Sequence, residues 1–374
     1  MLRRKAWRAA ALAAVALAIA GCTTPTPWRS VDLPAGFRPA SLAAASDGLL
    51  VGGQSAGRPA LLRIAGVASG AAVELTPQEP PAAEAELILL TADGDDLYAV
   101  GRWFGGAHSN PRLTMWDGTA SSNRLTSWPQ EFWTFGGHDA GNLLGIEVIS
   151  GQGVIFGLRS GTAGIEGVLW TRAGHTWTKH VDLDPSLVSN PDRVVSFTAL
   201  DRLGDRLVVA GDQLGLAGGL NQQPSVWVGS AAGPWAQALL PIPGELPPVP
   251  GQLSRATSVA CDDEAGCWVA GWVRGRPVVW ALDITADGHV TVRQPTVLDG
   301  TAPAGADPNA LVTVAGHLPV VLTGATTPTL QVGCSDGWRS LPEAPGTATA
   351  LQDSASGLYA ITGTGVQQHD PPRC

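Results

Sequence analysis

Lysine is almost missing from this chain of 374 residues, which carries only Lys5 and Lys179. Removing Arg3, Arg4, Lys5 and Arg8 from its 23 basic residues leaves 19 against 32 acidic ones, a formal charge of −13 for the rest of the chain. An acidic, lysine-poor surface does not suit phosphate backbones, so nucleic acid is not an expected partner. Tyrosine is as scarce, with Tyr98 and Tyr359 only. The seven histidines are scattered, no pair has metal-ligand spacing, and neither a GxSxG elbow nor a phosphate-cradling glycine loop occurs. No metal or cofactor is therefore expected. Nothing beyond the N-terminal segment reads as a long amphipathic helix or as a bilayer span.

What is present begins at the first residue. A cationic head is followed by an apolar run from Ala9 to Ala20, too short to cross roughly 30 Å of hydrocarbon but suited to a signal-peptide core. The run ends in Ile19-Ala20-Gly21-Cys22, which resembles the bacterial lipobox. That resemblance implies a signal peptide over 1–21, acylation of Cys22, a tether over 22–27 and a folded domain over 28–374. The domain is then expected outside the cytoplasm, held to the membrane through lipidated Cys22. Two or more acyl chains give stable anchoring where one is marginal.

Setting Cys22 aside leaves four cysteines. Cys261 and Cys267 bracket a turn-like stretch between two strand-like runs, and Cys334 and Cys374 are then left to form a second pair. Metal ligation is the rival reading, but no CxxC or histidine cluster accompanies them. Export favours two disulfides.

Glycine (47) and proline (29) are abundant while apolar residues hold at 44%, a combination of many short strands joined by turns rather than of disorder. About 350 residues exceed the usual single domain unless the fold is a repeat. A repeat of roughly 40–60 residues is present, the period of propeller blades. Its clearest element is an aliphatic run ending in glycine. Seven copies occur, at 49–53, 97–101, 154–157, 207–211, 268–271, 320–324 and 358–363. Each follows a shorter apolar run and a Gly/Asp turn. A third strand comes after it, often holding tryptophan (Trp116, Trp170, Trp227, Trp280). A fourth opens on Trp177, Trp235 or Trp338.

The fold expected is an all-β, seven-bladed β-propeller of four-stranded blades, with tryptophans and aliphatics as inter-blade core. Trp28-Arg-Ser-Val-Asp-Leu33-Pro matches Trp338-Arg-Ser-Leu341-Pro, a fourth strand arriving before any first strand. The last repeat has three strands and lacks a fourth. The N-terminal strand should therefore complete the last blade and close the ring, leaving no sheet edge unpaired.

The turns between third and fourth strands resemble worn Asp boxes, the Ser/Thr-x-Asp-x-Gly-x-Thr-Trp motif of sialidase-type (BNR-repeat) propellers. Thr171-Arg-Ala-Gly174-His-Thr176-Trp177 keeps the Thr, Gly, Thr and Trp but has Ala173 in place of Asp. Ser230 to Trp235 and Ser335 to Trp338 are shorter variants. The motif is structural, so the resemblance implies a fold and not a reaction. Phe37-Arg38-Pro39 stands where sialidases carry a substrate-binding arginine motif, without its isoleucine. Sialidase chemistry also needs a tyrosine nucleophile, and both tyrosines here lie in core-like runs.

A binding or scaffold propeller for an envelope glycan or protein is thus the expected function. Its alternatives are a sialidase-like or other glycoside hydrolase and an accessory or sensor subunit of an envelope complex. The face built by second-to-third-strand loops and by inter-blade loops is the expected site. It carries Arg102, Trp103, Phe104, Trp133, Asp212, Trp272 and Arg274, rings and charges that suit sugar stacking or a partner protein. The opposite face, with tight hairpins such as Asp93-Gly94-Asp95-Asp96, should have little room for a pocket.

Overall fold

The computed structural model describes residues 27–68, 70–105, 111–217, 220–246, 253–302, 309–324 and 327–374. The segment 1–21, Cys22 and the tether up to residue 26 lie outside the described residues. Seven antiparallel sheets form a ring, a seven-bladed β-propeller. The first strands of the blades I to VII are Phe37–Ala45, Glu86–Asp93, Ala140–Ile149, Arg193–Leu203, Ser254–Asp262, Ala310–Ala315 and Ala348–Ser354. They line the axis, and each touches the first strand of the next blade all the way round. Blade II gains a fifth strand, Glu74–Thr76, parallel to Arg124–Trp128. Blade V gains the short strand Thr296–Val297 beside its third.

The ring closes as the sequence requires. Arg29–Ser30 pairs antiparallel with Gly365–His369, in the register Arg29 to Gln368 and Ser30 to Gln367. The N–H of Val31 donates to the carbonyl of Val366 at 2.9 Å. Val31 then buries among Phe37, Leu49 and Ile64 of blade I and Tyr359 of blade VII.

The glycine-ended aliphatic runs are the second strands, and alternation explains why they are unbroken. In blade IV, Leu207 and Val209 face blade III while Val208 and Ala210 face blade V. A strand buried on both faces reads as continuous hydrophobicity rather than alternation. Seven hydrophobic clusters result, one between each pair of neighbouring blades. The terminal glycine has a separate cause. In six blades the ladder between first and second strands slips by one residue, a β-bulge in the first strand. The bulge pushes a first-strand carbonyl against the second strand, where Gly53, Gly157, Gly211 and Gly271 leave room for it.

The third-strand tryptophans are core. Trp116, Trp227 and Trp280 are wholly buried and Trp170 nearly so. Three of them also hold the loop that enters their blade. The indole N–H groups of Trp170, Trp227 and Trp280 donate to the carbonyls of Thr134 (2.6 Å), Ser186 (3.0 Å) and Pro241 (2.8 Å). Buried indoles usually find such a partner, and for these three it is the backbone that builds one face of the ring.

Both cysteine pairs are disulfides. Cys261–Cys267 joins directly paired residues across the first hairpin of blade V. Cys334–Cys374 ties the C-terminus to the turn of the neighbouring blade. No helix among the described residues is long and apolar enough to cross a membrane.

Candidate functional site

The loop face of blades II and III is built on one inward-facing ring. In the single helical turn Phe132–Phe135, Phe135 stacks on Trp170 at 5.3 Å and meets Trp177 edge-on at 6.4 Å. The N–H of Gly136 closes the turn on Phe132 O at 2.8 Å. With Phe135 committed to the core, Phe132 and Trp133 are thrown outward, 55% and 65% exposed, in an edge-to-face pair at 5.0 Å.

Blade II supplies the other half. Phe104 ends its second strand, 61% exposed, and pairs in register with Pro111. The guanidinium of Arg102 lies 5.3 Å from the Phe104 ring centroid and is held by Glu86 at 3.0 Å. Trp103 donates from its indole to Glu84 Oε2 at 3.0 Å. Between the halves lies a cleft of about 140 Å³, lined by Glu79, Pro111, Arg112, Gln130, Glu131 and Phe132. Burial pushes the Glu79 carboxyl above its ordinary value.

Arg102, Trp103, Phe104 and Trp133 are therefore brought to one region, and the remaining expected residues are not. Trp272 is a correction. It is only 3% exposed and packs with Val279, Ala310 and Val321 in the core between blades V and VI, because its position in the second strand alternates toward the neighbouring blade. Asp212 is buried in blade IV, its Oδ2 accepting from Gln222 Nε2 at 2.8 Å, and burial raises its pKa. Arg274 adopts a positive φ of 52° in its hairpin and donates to the carbonyl of Leu246. Both act as clamps on loops. Asp139, in the same inter-blade loop as Trp133, pairs with Arg159 at 3.8 Å. Residues that sequence reasoning passed over are Arg112 and Glu79. Neither stands in a motif, and only the fold brings them to the cleft.

A second cavity, of about 610 Å³, lies elsewhere, in the central channel. Its wall is mostly Ala, Leu, Ile, Val and Thr, and its charges are Glu147, Asp201, Arg202, Asp262 and Asp263. These stand toward the hairpin face, so the expectation that this side has little room for a pocket is corrected: the tight hairpins rim the channel rather than fill it. The charges answer one another. Asp201 accepts from the backbone N–H groups of Arg202 and Cys261, both at 2.7 Å. Arg202 reaches Asp93 at 3.4 Å and Glu147 at 4.0 Å. Burial, then the charge of Asp201, pushes the Glu147 carboxyl well above its usual range. Among the described residues, no group of three or more His, Cys, Asp or Glu is placed to hold a metal ion.

The tyrosines do not serve the loop face. Tyr98 is buried between blades II and III with its hydroxyl accepting from Arg172 at 3.2 Å. Tyr359 is buried against blade I, hydrogen-bonded to Ser356 at 2.7 Å. Phe37 is likewise core, and Arg38 is occupied by Gln54.

No protein-family model matches the chain, and no curated protein does. Among solved structures, a protein from Lactobacillus plantarum is 14% identical with a TM-score of 0.45, covering 83% of this chain and 85% of its own. The fungal lectin of Aleuria aurantia, a six-bladed propeller with a fucose recognition mode, is 12% identical with a TM-score of 0.45, covering 86% and 98%. A Bombyx mori GH32 β-fructofuranosidase in complex with sucrose is 11% identical with a TM-score of 0.34, covering 92% and 88%. None of these superpositions is close enough to carry an argument about function.

Proposed function

We propose that the protein is a lipid-anchored binding propeller outside the cytoplasm, and that it takes an envelope glycan on the loop face of blades II and III. The observation that carries this reading is a cleft lined by Arg112, Gln130, Glu131 and the exposed ring of Phe132, with two more exposed rings attached to its wall: Phe104, paired with Pro111, and Trp133, 5.0 Å from Phe132. Aromatic faces stack on the apolar faces of sugar rings while charged and amide groups take the hydroxyls. The cleft is smaller than the usual 300–1,000 Å³ of an enclosed ligand site. It therefore suits one ring edge of a polymer that otherwise lies across the exposed side chains.

Two disulfides support export, since such bonds persist in oxidising compartments. The anchor rests on the Ile19-Ala20-Gly21-Cys22 sequence. Hydrolysis has less support: both tyrosines and the Phe37-Arg38 pair are engaged in packing or hydrogen bonds.

The test is binding of the purified protein to isolated cell-envelope polysaccharide, with Trp133→Ala and Phe104→Ala beside it. Both rings are exposed, so each variant should melt as the parent does and bind at least tenfold more weakly, the effect of losing about 1.4 kcal/mol. Two folded variants that retain full binding would remove this surface as the site.

A further inference from the structure

The described chain enters the fold at one corner of one face. The ring of Trp28 lies 5.3 Å from that of His369, and Arg29 pairs with Asp370 at 2.5 Å. His369 stands opposite Leu358, next to the hairpin turn between Ser354 and Gly357. The entry point is therefore on the hairpin face. The C-terminus ends there too, since Cys374 is bonded to Cys334, which pairs with Gly337 across a turn on that side. Phe104 and Trp133 lie at the other end of the strands, on blades II and III, while the chain enters at blade VII.

Length decides what this implies. A nine-residue strand such as Asp96–Phe104 separates the two faces by about 30 Å at 3.3 Å per residue. Six residues lead from Cys22 to Trp28, and fully extended they reach at most about 20 Å. A lipid on Cys22 can thus bring the hairpin face to the bilayer but cannot bring the ring of aromatics there.

We infer that the hairpin face is apposed to the membrane and that the aromatic loop face points away from it, open to a polymer in the surrounding envelope and closed to lipid headgroups. The inference rests on the proposed anchoring at Cys22. The hairpin face offers little electrostatic hold of its own: Arg63 and Arg339 are paired with Asp47 and Asp336, and exposed Asp95, Asp205, Asp263 and Glu264 add negative charge that anionic headgroups repel. The lipid alone sets the orientation.

The experiment uses full-length lipidated protein, purified in detergent and reconstituted into vesicles of phosphatidylethanolamine and phosphatidylglycerol that contain a headgroup-labelled acceptor lipid. A donor dye is placed by Ala355→Cys or by Thr364→Cys. Both positions are exposed turns of blade VII, one on each face. Energy transfer should be several-fold stronger from position 355 than from 364, and a variant starting at residue 23 should not bind the vesicles at all. Protein that pellets with the vesicles but transfers equally from both positions, or better from 364, overturns the orientation while leaving the anchor standing. Lipidated protein that fails to pellet overturns both. Vesicle binding by the unlipidated variant would show that the hairpin face has its own affinity and that the lipid is not what orients it.

Discussion

A Cβ on Gly211 would lie 2.0 Å from the carbonyl oxygen of Ser196. The bulge between Phe197 and Ala199 brings that carbonyl in, and the same contact recurs at Gly53 with Arg38 and at Gly271 with Arg255. Backbone is the obstacle, so no rotamer change relieves it. Gly211→Ala should therefore cost about 3 kcal/mol or more, among the larger single-residue effects, through forced displacement of the first strand. Gly215→Ala, in the same strand, meets its nearest neighbour at 3.6 Å and should change stability by less than about 1 kcal/mol. Chemical denaturation of the two variants checks this, and equal midpoints would show that the glycine is not required by the bulge.

That relationship explains why the blade count was legible. Burial of the second strand on both faces writes itself as an aliphatic run, and the bulge writes a glycine at its end, so the repeat is visible without any motif. The closing strand was legible for the same reason, since Trp28-Arg-Ser repeats Trp338-Arg-Ser. The site was only partly so. Phe104 and Trp133 are presented as their loops suggested, but Trp272 belongs to a strand whose alternation the loop assignment ignored. Nothing in sequence distinguishes a tryptophan at a strand end that turns to solvent from one that turns to the next blade. The acidic channel was invisible because Glu147, Asp201 and Arg202 come from two blades.

Asp201 in the channel, with Asp353 and His317 at hairpin turns of blades VII and VI, gives the protein a pH dependence of unusual sign. Burial raises Asp201 to about 6 and Asp353 to about 6, and the neighbouring carboxylates of Asp262 and Glu264 raise His317. Each group binds its proton more tightly folded than unfolded. Their contribution to stability is present at low pH and is lost as pH rises through the folded-state values, from about pH 4 to about pH 6 for the two aspartates. Melting temperature should fall between about pH 5 and about pH 7.5. Asp353→Asn, which removes one of these titrations, should flatten the decline. A melting temperature that rises over this interval would contradict the assignment.

The two disulfides should differ in value. Loop-closure entropy assigns roughly 4 kcal/mol to Cys334–Cys374, with a separation of 40, and roughly 2 kcal/mol to Cys261–Cys267, with a separation of 6. The longer loop also fastens the C-terminus to blade VI beside the closing strand. Cys334→Ala with Cys374→Ala should lower the unfolding midpoint more than Cys261→Ala with Cys267→Ala. Thiol counting on the denatured, unreduced domain should find no free cysteine among these four.

The latch at Val31 tests whether the ring must be closed to persist. Its side chain is 6% exposed, and its N–H is the last bond between the N-terminal strand and blade VII. Val31→Ala removes two methyl groups from the cluster shared with blade I and should cost about 1–2 kcal/mol at about 0.8 kcal/mol per group. Removing residues up to Leu33 does more, because it withdraws the pairing of Arg29 and Ser30 and leaves the strand Gly365–His369 as a free edge. An unpaired edge is a template for another chain. The truncated domain should unfold at lower denaturant than Val31→Ala and should self-associate on size-exclusion chromatography as its concentration rises. If it stays monomeric and as stable as the parent, six blades and a three-stranded seventh suffice, and closure by the N-terminal strand contributes nothing to the fold.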